Sequence, residues 1–101
     1  MYHITIQYAV PDDPAAVDEH DRTTHVPLVA PLPGLQRFTW STPRPLGGEQ
    51  NVHLVAELDF ADGAALKAAL ASPEIAASSK GAASTGVATT MLFGEIVEAS
   101  L

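Results

Sequence analysis

A chain of 101 residues holds one domain, residues 1–101, and its 47% hydrophobic and 17% charged content belongs to a globular protein rather than a disordered one. A net charge of −7 with five scattered basic residues repels phosphate backbones and anionic bilayers, so neither nucleic acid nor membrane is an expected partner. The lack of cysteine removes disulfides, thiolate metal sites and thiol nucleophiles, and no apolar run nears membrane-spanning length, so a cytoplasmic location is expected.

Residues Tyr2 to Val10 alternate, with Tyr2, Ile4, Ile6, Tyr8 and Val10 on one face and His3, Thr5, Gln7 and Ala9 on the other. Period two with β-branched and aromatic residues predicts a strand. Asp13 followed by Pro14 then starts a helix, a carboxylate cap before a proline that needs no amide hydrogen. That helix runs through "AAVDEHDRTTHV". Pro27 removes a donor, so the helix is expected to kink or end near Val26.

Leu35 to Thr42 reads as a second strand, with Phe38 and Trp40 sharing a face. After the loop "PRPLGGEQN", Asn51 to Phe60 is a third. There Val52, Leu54, Ala56, Leu58 and Phe60 oppose His53, Val55, Glu57 and Asp59. Asp62 caps a second helix that Ser72-Pro73 punctuates, with a further turn or two through "EIAASSK". Thr89 to Glu98 is the last strand.

The order β-α-β-β-α-β predicts an α+β, ferredoxin-like fold: a four-stranded antiparallel sheet with both helices on one face. The other face is then bare, and it carries His3, Gln7, His53 and Glu57. An uncovered, semi-polar face on a small alanine-rich domain predicts a homodimer, a barrel of two facing sheets with cavities. The four polar residues are expected there as hydrogen-bonded interface contacts or as ligand-recognising groups.

The chemistry concentrates in "DEHDRTTHVPL", Asp18 to Leu28. His20 and His25, five residues apart, point about 140° apart on an α-helix, and no H-E-x-x-H motif occurs, so no metal site is expected. Asp21 and His25 stand four apart and share a face. Such a carboxylate can orient an imidazole for general acid–base work, and packing at a helix end explains the same histidine without function. Arg22 can pair with Asp18. Tyr8, Phe38 and Trp40 offer ring surface to an apolar ligand, against ordinary core packing, which is the stronger reading for Tyr8 on the helix side. No G-x-S-x-G, phosphate loop or dinucleotide fingerprint is present.

The motifs "HVPL" (25–28), "LPGL" (32–35), "VAELDF" (55–60), "ALKAALASPE" (65–74) and "LFGE" (92–95) follow in this order. In order and spacing the chain resembles the EthD family, named for ethyl tert-butyl ether degradation. The resemblance covers nearly the whole chain. It implies a dimeric α+β barrel without a bound cofactor. It also singles out His25, the histidine of the family's most recognisable motif. Related barrels act in polyketide tailoring, lactone isomerisation and cofactor-free oxygenation. The resemblance therefore implies a small cofactor-independent protein of catabolism or secondary metabolism acting on an apolar or aromatic molecule, as an oxidoreductase, isomerase or cyclase. The alternative is a non-catalytic accessory protein that only binds such a molecule. Family members often carry an acidic and aromatic segment after the second helix; here "SSKGAASTGVA" stands instead, so a pocket wall built there is expected to be small and open.

Overall fold

The computed structural model describes residues 1–83 and 85–101. Four strands, β1 (Tyr2–Ala9), β2 (Leu35–Ser41), β3 (Val52–Phe60) and β4 (Thr89–Glu95), form one antiparallel sheet in the order β2-β3-β1-β4. Helices α1 (Pro14–His20) and α2 (Val26–Val29) follow β1, and α3 (Gly63–Leu70) and α4 (Pro73–Ala83) follow β3. This is the ferredoxin-like α+β arrangement expected from the element order.

Side-chain alternation sets which face is covered. Ile4, Ile6 and Tyr8 of β1 lie opposite Leu58, Ala56 and Leu54 of β3, and all are buried beneath the helices with Val17, Val29 and Leu66. The opposite face presents rows of polar residues. His3 is opposite Asp59 and Gly94, Thr5 is opposite Glu57 and Leu92, and Gln7 is opposite Val55 and Thr90.

The helix caps are as read: Asp13 Oδ1 accepts from the Ala16 amide at 3.2 Å, and Asp62 Oδ1 from the Ala65 amide at 2.8 Å. Pro27 does not end the first helix. Residues Asp21–His25 form a π-helical turn, in which the Val26 amide reaches back to the Asp21 carbonyl, and α2 continues to Val29. The π turn restarts the hydrogen-bond ladder, so Pro27 falls in the first turn of a new α segment, where a missing amide hydrogen costs nothing. Smaller differences concern element ends: β2 and β3 are each one residue shorter than read, at Thr42 and Asn51. β1 stops at Ala9, β4 stops at Glu95, and α4 spans eleven residues rather than a turn or two.

Several large exposed apolar side chains lie together on the edge strand β4, at Met91, Leu92 and Phe93, and on Ile96 and Val97 beyond it. No described helix is long and apolar enough to cross a membrane.

Candidate functional site

The π turn carries two of the three groups in a buried polar cluster. Asp21 and His25 fall four residues apart on it, and both turn inward. His25 Nδ1 lies 3.0 Å from Asp21 Oδ1, with 1% and 2% of the two residues exposed. The third group comes from β1. The Tyr8 hydroxyl, fully buried, is 3.1 Å from His25 Nδ1 and donates to Asp21 Oδ1 at 3.3 Å. Three polar atoms thus form a nearly equilateral triangle in the core.

Burial raises the pKa of the Tyr8 phenol well above the ordinary tyrosine value, and the charge and hydrogen bond of Asp21 add to the effect. Its proton therefore stays in place as a donor. A sealed carboxylate needs donors, and those within reach here are Tyr8 Oη–H and His25 Nδ1–H. With the ring proton on Nδ1, both serve Asp21 and the Nε2 lone pair is left for other work. The opposite tautomer would set the Nδ1 lone pair against Oδ1.

His25 lines a cavity of about 160 Å³ between the sheet and the helices. Ile4, Ile6 and Leu58 form its floor, Leu70, Ile75, Ser78 and Ser79 its helical wall, and Met91, Leu92 and Phe93 its outer side along β4. Apart from His25, its polar side chains are the two serines, and Ser78 Oγ donates to the Ile75 carbonyl at 3.0 Å. The small wall expected from "SSKGAASTGVA" is thus present in Ser78 and Ser79. The cavity lies on the helix-covered side within one chain, whereas the barrel interior between two facing sheets was the expected place. A larger cleft of about 310 Å³ along residues 43–55 is lined by no buried side chain.

His20 and His25 both approach α4, although an α-helical projection separates them. His20 Nε2 is 3.1 Å from the Gly81 carbonyl, and a Cβ on Gly81 would meet His25 Cδ2 at 3.6 Å. The π turn rotates the later residues enough to bring both rings to one neighbour.

The remaining candidates divide. His3, Gln7 and Glu57 lie on the open face, each half-buried, as the alternation predicts. His53 does not join them. The register shifts where Ala9 pairs with Val52 and Tyr8 with Leu54, leaving His53 as the extra residue of a bulge. Its Nε2 lies 2.7 Å from Asp18 Oδ1 on α1. Phe38 and Trp40 lie opposite Leu58 and Ala56, on the helix side, with ring centroids 5.4 Å apart. They stand on the edge strand β2, away from β4, and do not line the His25 cavity; Trp40 is 48% exposed. Arg22 pairs with Glu19 rather than Asp18. Among the described residues, no three His, Cys, Asp or Glu side chains converge as metal ligands would.

The partnership of Tyr8 with Asp21 and His25 is what pattern reading misses. A tyrosine on the apolar face of a strand reads as core, and its partners lie 13 and 17 residues along the chain. The signal available was a buried hydroxyl's need for a partner.

The EthD domain model matches residues 11–84, which include Asp21 and His25. The chain belongs to the EthD family. An uncharacterised 11.0 kDa protein of the thcB-thcC intergenic region of Rhodococcus erythropolis is 43% identical over 97 residues, covering 92% of each chain. The crystal structure of an EthD family protein from Bacillus halodurans superposes with a TM-score of 0.83 at 30% identity, over 96% of this chain and 99% of that one. Two more distant structures share the fold. SnoaB, a cofactor-independent oxygenase from Streptomyces nogalater, has a TM-score of 0.70 at 19% identity, covering 97% and 94%. A dimeric ferredoxin-like protein from Bacteroides fragilis has a TM-score of 0.64 at 14% identity, covering 94% and 95%.

Proposed function

We propose that this EthD-family chain binds a small apolar molecule in the cavity beside His25 and that His25 exchanges a proton with it, without a bound cofactor. One observation carries the reading: a buried histidine has Nδ1 held by Asp21, which Tyr8 also serves, and stands in the wall of a cavity whose other polar side chains are two serines. A base in such a place takes a proton from a ligand through Nε2, and the resulting imidazolium is met by the Asp21 carboxylate at Nδ1. Proton transfer is a step that isomerisation, cyclisation and oxygenation of an activated carbon acid can share. The fold shared with a cofactor-independent oxygenase supports this class of chemistry without selecting the reaction.

The proposal extends to a homodimer. Its support is the open sheet face bearing His3, Gln7 and Glu57, the apolar edge at Met91, Leu92 and Phe93, and the dimeric state of a fold neighbour. Sedimentation at micromolar concentration should give twice the chain mass; a monomer alone would remove this part.

The test of the site uses a panel of small apolar ketones and phenols, followed by NMR. Binders should perturb resonances of Ile4, Leu58 and Ile75, and Ser79→Phe, which fills the cavity from its half-exposed wall, should abolish the effect. Perturbations confined to the open sheet face would refute the reading. A bound ketone should exchange its α-hydrogens in D2O, and His25→Asn should stop exchange while binding persists. Equal exchange by His25→Asn would leave a binding protein without catalysis.

A further inference from the structure

The proton held by His25 is shared ground for two other groups, and the geometry assigns one of them a role. We infer that Tyr8 is a positioning residue acting through Asp21: by donating to the same carboxylate oxygen that His25 uses, it weakens the pull of Asp21 on the imidazole proton, so that a proton taken from a ligand can be returned. The inference rests on the reading of His25 as the proton-exchanging group.

Two donors compete for a single acceptor atom. Oδ1 of Asp21 is 3.0 Å from His25 Nδ1 and 3.3 Å from Tyr8 Oη. With His25 neutral, the carboxylate is an uncompensated anion in the core, and the phenol hydrogen bond is worth most in that state. With His25 protonated, the ion pair supplies the compensation, and the same hydrogen bond is worth less. Tyr8 therefore stabilises the deprotonated pair more than the protonated one. No other ionisable side chain lines the cavity among the described residues. The cavity wall from β3, α3, α4 and β4 is apolar or serine, and neighbouring His20 is directed to the Gly81 carbonyl.

The position of Tyr8 suits this role. It sits on β1, an interior strand held on both sides by β3 and β4, so its hydroxyl cannot drift with the helix that carries Asp21 and His25. A group whose task is to grade another's proton affinity needs such a fixed mounting.

The experiment is a ¹⁵N and ¹H NMR titration of the His25 ring in the ligand-free full chain, wild type against Tyr8→Phe and Asp21→Asn. Tyr8→Phe should move the titration midpoint of the pair upward by about one pH unit, a tenfold gain in proton affinity. Asp21→Asn should move it downward. An unmoved or lowered midpoint in a folded Tyr8→Phe chain would overturn the inference, and would do so whether or not any ligand binds the cavity. Should Tyr8→Phe fail to fold, the wild-type phenolic proton serves instead. It should be protected from exchange, and its chemical shift should follow the His25 titration. A phenolic resonance indifferent to that titration would also overturn the assignment. A loss of ligand binding with the midpoint shifts as expected would instead count against the cavity.

Discussion

His25 Nδ1 and Asp21 Oδ1 stand 3.0 Å apart with almost no surface left to water. Removing the acid strips the ring Nδ1–H and the Tyr8 hydroxyl of their common acceptor and leaves them only each other, 3.1 Å apart. Asp21→Ala should therefore cost about 3 kcal/mol of stability in urea denaturation, within the range seen when one partner of a buried pair is deleted. A loss below about 1 kcal/mol would show that water or another group satisfies both donors.

Alkaline conditions probe the same triangle from the tyrosine side. The folded pKa of Tyr8 is raised, first by burial and then by Asp21. Its contribution is fully present below the unfolded value of about 10 and is lost as pH rises from there towards the folded value. Stability should fall by up to about 1.4 kcal/mol per pH unit above 10 from this group. Denaturation curves between pH 9 and 11 should show the fall in wild type and a shallower one in Tyr8→Phe. Equal slopes would mean that the phenol ionises alike in the folded and unfolded chains.

Gly81 lies where α4 packs tightly against Leu28 of α2. An added Cβ would come within 2.6 Å of Leu28 Cδ1, the far end of a flexible side chain. Gly81→Ala should stay within about 1 kcal/mol of wild type, because Leu28 can rotate and alanine favours the helix by a similar amount. Gly81→Val brings further methyls against Leu28 and His25 and should lose about 2 kcal/mol. Thermal melts of the two variants decide it: equal melting temperatures would contradict the close packing.

The His53–Asp18 pair should matter less. Its short contact of 2.7 Å has a carboxylate side chain that is 46% exposed. His53→Ala should cost no more than about 1 kcal/mol beyond its packing contribution, and a double-mutant cycle with Asp18→Ala isolates the coupling. A coupling above about 2 kcal/mol would show that this contact is shielded from solvent.

How far the chain could be read in advance follows from the range of each interaction. Tyr2, Ile4 and Ile6 announce their strand because alternation is local, and Asp13 and Asp62 announce their helices because caps act within three residues. Asp21 and His25 were legible because four residues bring side chains together in a π turn as in an α-helix. That His20 and His25 approach one neighbour was not legible by the same rule, since the altered helical pitch after Asp21 leaves no trace in composition. Pro27 misled because its cost depends on where the ladder restarts. The bulge at His53 and the partnership of Tyr8 arise only when distant segments meet. The floor of the cavity, Ile4, Ile6 and Leu58, was visible only as core.

β4 has one further consequence. It is the outer wall of the His25 cavity and also a free edge of the sheet, with Met91, Leu92 and Phe93 exposed. Any molecule that occupies the cavity and any chain that packs on this edge therefore touch one strand. Thermodynamic reciprocity then binds the two events: whatever factor self-association adds to ligand affinity, saturating ligand adds to the association constant. Dilution and titration would be two readings of one coupling.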